Sequence, residues 1–92
     1  MKVNWSDAAK RSYEKTVDYL EDNWGDEVVE GFRKKMRQAV KAISKMPAAA
    51  PLSKEMGVRK FVVAKYNVID YMVLKDEIYI VALVDSRSDH PY

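Results

Sequence analysis

Seven side chains near the strand ends of the C-terminal half have the right types for chemistry: Arg59, Lys60, Asp70, Asp85, Arg87, His90 and Tyr92. Arg59 and Lys60 open one apolar stretch, Asp70 interrupts the next, and Asp85 to Tyr92 follow the last. Two guanidinium groups on one surface hold a phosphate bidentately, and a neighbouring His or Tyr moves a proton. In a meander the end of the third strand returns towards the first, so Arg59 and Arg87 are expected to share one surface. The competing expectation is structural. Arg59 then pairs with Asp70 or Asp85 and balances a half-buried carboxylate. A tail histidine followed by Pro91 is more often a solvated side chain than a general base.

Other chemistry is excluded by composition. The chain has no cysteine, hence no thiolate nucleophile, disulfide or cysteine zinc site. A single histidine rules out a multi-histidine metal centre within one chain. There is no phosphate-binding glycine loop, nucleophile elbow or metal-binding His-Glu motif. Neither a metal nor a cofactor is expected. Trp5 and Trp24 lie outside any basic and aromatic interleave of the kind that stacks bases, and both are expected in the core.

The elements that position these residues follow from periodicity. Ala9, Tyr13, Val17, Leu20 and Trp24 recur at helical spacing after an N-cap at Ser6 or Asp7, and Gly25 supplies the stop. Val28 or Val29, Phe32, Met36, Val40, Ile43 and Met46 form a second stripe that Pro47 ends. The short link at Gly25 makes the two helices an antiparallel hairpin. Gly31, inside the second helix, suggests a close helix approach. Residues 58–64, 68–74 and 78–84 read as strands, the last two joined by a tight turn at Lys75-Asp76. In the last strand, alternation places Ile78, Ile80, Ala82 and Val84 on one face. Because that strand is apolar on both faces, it is central, and a tail, a loop or a partner chain covers part of the second face. Lys2 to Trp5 reads as a short edge strand. The expected fold is α+β, in the order β-α-α-β-β-β, with a helical hairpin on one face of an antiparallel sheet.

At 92 residues the chain is expected to form one domain, 1–92. Its net charge of +2 permits a nucleic-acid partner without announcing one. Charge is segregated along the helices. Glu14 to Glu30 holds seven acids and one base, whereas Arg33 to Lys45 holds six bases and no acid. Both runs suit solvated helix faces with the sign that the helix dipole favours, and the basic run also suits a phosphate or an acidic partner. No apolar run reaches the 20 or so residues of a membrane helix, and no signal-peptide core opens the chain, so a soluble cytoplasmic protein is expected.

An ordered set of residues resembles the RelE/ParE superfamily of toxins from bacterial type II toxin–antitoxin modules. The set comprises Trp5-Ser6-Asp7-Ala8-Ala9, Tyr19-Leu20 with Asn23-Trp24-Gly25, Phe32, Met46-Pro47, Gly57-Val58-Arg59-Lys60, Val68-Ile69-Asp70-Tyr71, the strand ending in Asp85-Ser86-Arg87, and Pro91. The resemblance implies a cognate antitoxin as partner, with Tyr19 and Val29 beside the main helical stripe as contact candidates. It also implies one of two activities. RelE-like members are metal-independent, ribosome-dependent mRNA endonucleases, for which Arg59, Arg87, His90 and Tyr92 are the matching candidates. ParE-like members inhibit DNA gyrase, and Arg59, Lys60 and Arg87 would then bind the target. Where RelE-like chains place an arginine before the middle strand, this chain has Asn67-Val68, a departure that weakens the nuclease reading, while gyrase as target rests on the family analogy alone. A small binding module without toxicity is the third reading.

Overall fold

The computed structural model describes residues 1–87, and Ser88, Asp89, His90, Pro91 and Tyr92 lie outside the described residues. The elements run β1 (Lys2–Trp5), α1 (Asp7–Asn23), α2 (Asp26–Lys45), β2 (Leu52–Ser53), β3 (Val58–Ala64), β4 (Asn67–Leu74) and β5 (Glu77–Asp85). The five strands form one sheet in the order β1-β5-β4-β3-β2, and the helical hairpin packs on one of its faces.

Ser6 connects the first strand to the first helix. Its hydroxyl accepts from Ala9 N at 3.0 Å, capping α1, and donates to Val81 O at 2.6 Å. Its own N–H donates to Ile80 O at 2.9 Å. At the other end of α1 the N–H groups of Trp24 and Gly25 both reach Leu20 O. Gly25 then turns the chain into α2 with φ +90°, a conformation that disfavours a β-carbon. Gly31 differs from expectation. A β-carbon there meets nothing within 4 Å, so no close helix approach accounts for it.

The core lies between hairpin and sheet. Val17, Phe32, Met36 and Ile43 meet Ile69, Tyr71, Ile78 and Ile80 there, with Leu83 at the far end of β5. Burying each large aliphatic side chain contributes about 1.5–3 kcal/mol before the cost of ordering it.

The structure corrects four expectations. First, the sheet is mixed, because β1 runs parallel to β5, with Lys2 opposite Glu77 and Trp5 opposite Ile80. Second, a short strand, β2, pairs with β3 at Arg59 and Val58. Third, the β4–β5 register shifts between Asp70 and Tyr71: Tyr71 faces Ile80 but Asp70 faces Ala82, leaving Val81 as an extra residue. This bulge turns Leu83, not Ala82 and Val84, towards the helices. Fourth, Trp24 and Met46 are 65% and 67% exposed instead of buried. Each is the residue that ends its helix, with φ −130° and −135°, so its side chain leaves the stripe that periodicity projects through it.

Helices cover one face only. On the other, Val62, Val68 and Val84 share a cross-strand row, as do Lys60, Asp70 and Ala82.

Candidate functional site: a polar groove at the end of β5

Just past β5, Arg87 is fixed by two neighbours. Its Nη2 and Nε donate to the Asp85 carboxylate at 2.7 and 3.1 Å, and its backbone N–H donates to the same group at 2.9 Å. Its guanidinium carbon lies 4.4 Å from the centre of the Tyr66 ring. Tyr66 belongs to the β3–β4 turn, and Ser86 N donates to its carbonyl at 2.7 Å, tying that turn to the strand end. The arrangement is a bidentate ion pair whose cation also stacks on an aromatic face. The bonds from Arg87 hold the Asp85 carboxyl below its ordinary range, and Asp85 in turn raises the Arg87 guanidinium.

Arg87 opens onto a groove of about 700 Å³ between α1 and the sheet. From α1 come Ser12, Lys15, Thr16 and Tyr19, and from the sheet come Asn67 and Leu83. Tyr19 is 54% exposed there. Thr16 spends its hydroxyl proton on Ser12 O, at 2.9 Å. Such a groove offers hydrogen-bond donors, an aromatic ledge and a fixed cation. Among its described residues the one carboxylate, Asp85, is paired and acidified, which makes it a weak proton acceptor.

Arg59 lies elsewhere, contrary to the shared surface expected of it. It pairs in register with Tyr71, whereas Asp85 sits opposite Asn67, four residues earlier in β4. That spacing is roughly 13 Å along the strand. Its Nη1 donates to Ala48 O at 3.1 Å and to Ala50 O at 2.8 Å. Beside it the Tyr71 hydroxyl donates to Pro47 O at 2.6 Å. Together they hold the segment that leaves α2. Burial pushes the Tyr71 phenol above its ordinary range, while the Arg59 charge pulls it back.

Lys60, on the helix-free face, bonds both Asp70 oxygens at 3.1 and 3.3 Å across the strand pair. Asp70 is 6% exposed, so this is the ion pair that balances a buried carboxylate. Arg59 was expected in that role; the correct partner is its neighbour on the opposite face.

Of the two antitoxin candidates, Tyr19 is accessible and Val29 is not. Val29 is 5% exposed within the core, while Val28 faces solvent. The helix phase places Val29, not Val28, on the stripe with Phe32 and Met36. Sequence reasoning missed Tyr66, whose place beneath Arg87 depends on the β3–β4 turn meeting the end of β5. His90 and Tyr92, the candidates for proton transfer, lie outside the described residues.

Among the described residues no helix is long and apolar enough to cross a membrane, and no three His, Cys, Asp or Glu side chains cluster to hold a metal ion.

Comparison with known proteins places this fold. The chain is similar to a chain of the chromosomal ParDE toxin–antitoxin system from P. aeruginosa, with TM-score 0.78 and 19% identity over 92% of this chain and 95% of that one. It is similar to a YoeB/ParE toxin from Agrobacterium tumefaciens, with TM-score 0.69 and 15% identity over 92% and 98% of the two chains. It also resembles the toxin fold in a heterotetrameric YoeB-YefM toxin–antitoxin complex from Staphylococcus aureus, with TM-score 0.64 and 16% identity over 100% and 98%. No curated protein sequence matches significantly. At these identities the structures establish the fold alone. The family model for the ParE toxin of the type II toxin–antitoxin system parDE matches residues 3–91, nearly the whole length. The chain therefore belongs to the ParE toxin family of type II toxin–antitoxin systems.

Proposed function

We propose that this toxin arrests growth by binding a protein target, DNA gyrase, through the groove at the end of β5, and that a cognate antitoxin neutralises it. Arg87 is the central contact of that groove and Tyr19 its accessible aromatic edge. The observation that carries the choice of a protein target over RNA cleavage is the dispersal of the cations. A metal-independent nuclease gathers several cations around one phosphate and sets a proton acceptor beside them. Here Arg59 is bound to loop carbonyls, Lys60 is paired with Asp70 on the opposite face, and Arg87 is latched to Asp85. What remains at the groove is a preorganised patch in which Asp85 offsets Arg87 and Lys15 adds a second cation, with an aromatic rim, which suits a protein interface. Arginine and tyrosine are enriched among the residues that dominate such interfaces.

Antitoxin neutralisation rests on family membership and on the toxin–antitoxin complex from Staphylococcus aureus among the structural neighbours.

The test is induced expression with and without the antitoxin, scoring growth, DNA-damage response and transcript cleavage separately. Growth arrest with a damage response and intact transcripts, relieved by the antitoxin, is the expected result. Transcript cleavage without a damage response would transfer the chain to the nuclease reading.

A further inference from the structure

A second cavity, of about 370 Å³, opens where β1 meets the two helices. Small-molecule sites occupy roughly 300–1,000 Å³, so this one is large enough for a compact ligand. Its apolar lining is Trp5 from β1, Tyr13 from α1, and Met36 and Val40 from α2. The aromatic wall is held by the core behind it. Trp5 sits in register with Ile80 of β5. It meets Tyr13 edge to face at 5.7 Å, and Tyr13 stacks on the buried Phe32 at the same distance. A wall already in place need not be ordered when a ligand arrives.

The charged side chains at the cavity are three cations, Lys10, Arg33 and Arg37, against one acid, Glu14. Arg33 is the informative one. Its Nε is buried and finds no hydrogen-bond partner among the described residues. The Glu30 oxygen paired with it is 3.9 Å away, close enough for charge attraction but too far for a hydrogen bond. A buried donor without an acceptor costs free energy, and an acceptor that enters beside Arg33 recovers it. Nε and one Nη form an edge of the guanidinium that takes a carboxylate through two parallel hydrogen bonds.

We propose that this cavity binds a small amphipathic carboxylic acid, an aryl- or alkyl-alkanoate, whose apolar body lies against Trp5 and Tyr13 and whose carboxylate takes the Arg33 guanidinium. An uncharged apolar molecule would leave the Arg33 donor unmet. A bare inorganic anion would leave the apolar walls to water. A nucleotide would set the polar edge of its base against those walls, and Trp5 and Tyr13, inclined at 75°, do not form the parallel pair that sandwiches a base. Glu14 opposes a second negative charge, which favours a monoanion over a phosphate dianion. The site is independent of the toxin–antitoxin reading and separate from the Arg87 groove. Lys10, Tyr13 and Glu14 of α1 line this cavity, whereas Ser12, Lys15, Thr16 and Tyr19 line the other.

Trp5 supplies the readout. In the full chain carrying Trp24→Phe it is the sole tryptophan, and its emission is followed while phenylbutyrate is titrated in. Phenylbutanamide, which has the same body without the charge, and acetate, which has the charge without the body, are titrated in parallel. Phenylbutyrate should shift the emission saturably with half-saturation below about 1 mM. The amide should bind at least about tenfold more weakly, and acetate should not saturate in that range. Arg33→Gln should lower the affinity for the acid to that for the amide, Val40→Phe should fill the cavity and weaken both at least about tenfold, and Lys35→Gln, outside the cavity, should change neither by more than about twofold. The comparison of acid with amide is made on one protein, so it decides even where a variant fails to fold. Absence of saturation by phenylbutyrate at about 1 mM would overturn the assignment. So would an amide that binds as tightly as the acid, an acid affinity unchanged in Arg33→Gln, or binding that survives Val40→Phe.

Discussion

Arg59 and Arg87 stand at opposite ends of one sheet, and they differ in what each guanidinium grips. Arg59 reaches inward to two backbone carbonyls, Ala48 O and Ala50 O, next to the hydroxyl of Tyr71, which is fully buried. Arg87 lies at the surface, latched to a carboxylate two residues before it and resting on a tyrosine ring. Removing the first leaves carbonyls of the post-α2 segment without donors. Removing the second takes away a contact that solvent readily replaces. Identical side chains at equivalent-looking strand ends thus divide between scaffold and surface, and the division depends on which loop folds over each end.

The sharpest way to break this comparison is Arg59→Ala. Hydrogen bonds from a charged donor contribute about 1.5–3 kcal/mol each, so loss of both, discounted for partial exposure, should cost about 3 kcal/mol of stability in denaturant titration. A stability near wild type would move Arg59 into the same class as Arg87. Tyr71→Phe tests the other half of the same clamp and should cost about 1.5 kcal/mol, because the Pro47 carbonyl loses its donor. The raised phenol also sets a direction with pH. The Tyr71 contribution is present below the unfolded tyrosine value, about 10, and is lost as pH rises through the higher folded value. Wild type should therefore lose stability in that alkaline window, and Tyr71→Phe should lose less.

At the other end, Arg87→Ala should leave the unfolding midpoint near wild type while abolishing growth inhibition, since an exposed substitution seldom perturbs the fold. A collapse of stability with toxicity would make Arg87 a second Arg59. The smallest effect expected is electrostatic. The Asp85 carboxyl titrates below the ordinary aspartate value near 3.9, so the latch is intact above that value and is lost as pH falls through the lowered one. Carbon NMR of the Asp85 carboxyl should show its midpoint return upward in Arg87→Ala. An unmoved midpoint would mean that Arg87 is not its main partner.

Much of this architecture was legible in the residues. The cap at Ser6, the stop at Gly25 and the three long strands are local features, written in a hydroxyl, a glycine and alternating Val and Ile. What was not legible is long-range or lies at element ends. Nothing in Lys2–Trp5 specifies β5 as its parallel neighbour. The bulge at Val81 is hidden because β5 is apolar on both faces, so a change of phase leaves the pattern intact. Trp24 and Met46 were assigned to the core by extending a helical period one residue too far. The candidate site was legible as residue types but not as partners. Arg87 was identified, whereas its latch to Asp85 and its seat on Tyr66 depend on how two chain segments meet.

The central claim is that the β5-end groove binds a protein target and does not cut RNA. The most direct measurement places purified wild type, Arg87→Ala and His90→Ala in parallel assays of gyrase supercoiling and of transcript cleavage on translating ribosomes. Wild type and His90→Ala should inhibit supercoiling, Arg87→Ala should not, and transcripts should stay intact throughout. Cleavage by wild type that falls at least about a hundredfold in His90→Ala, the size expected when a general base is removed, would contradict it.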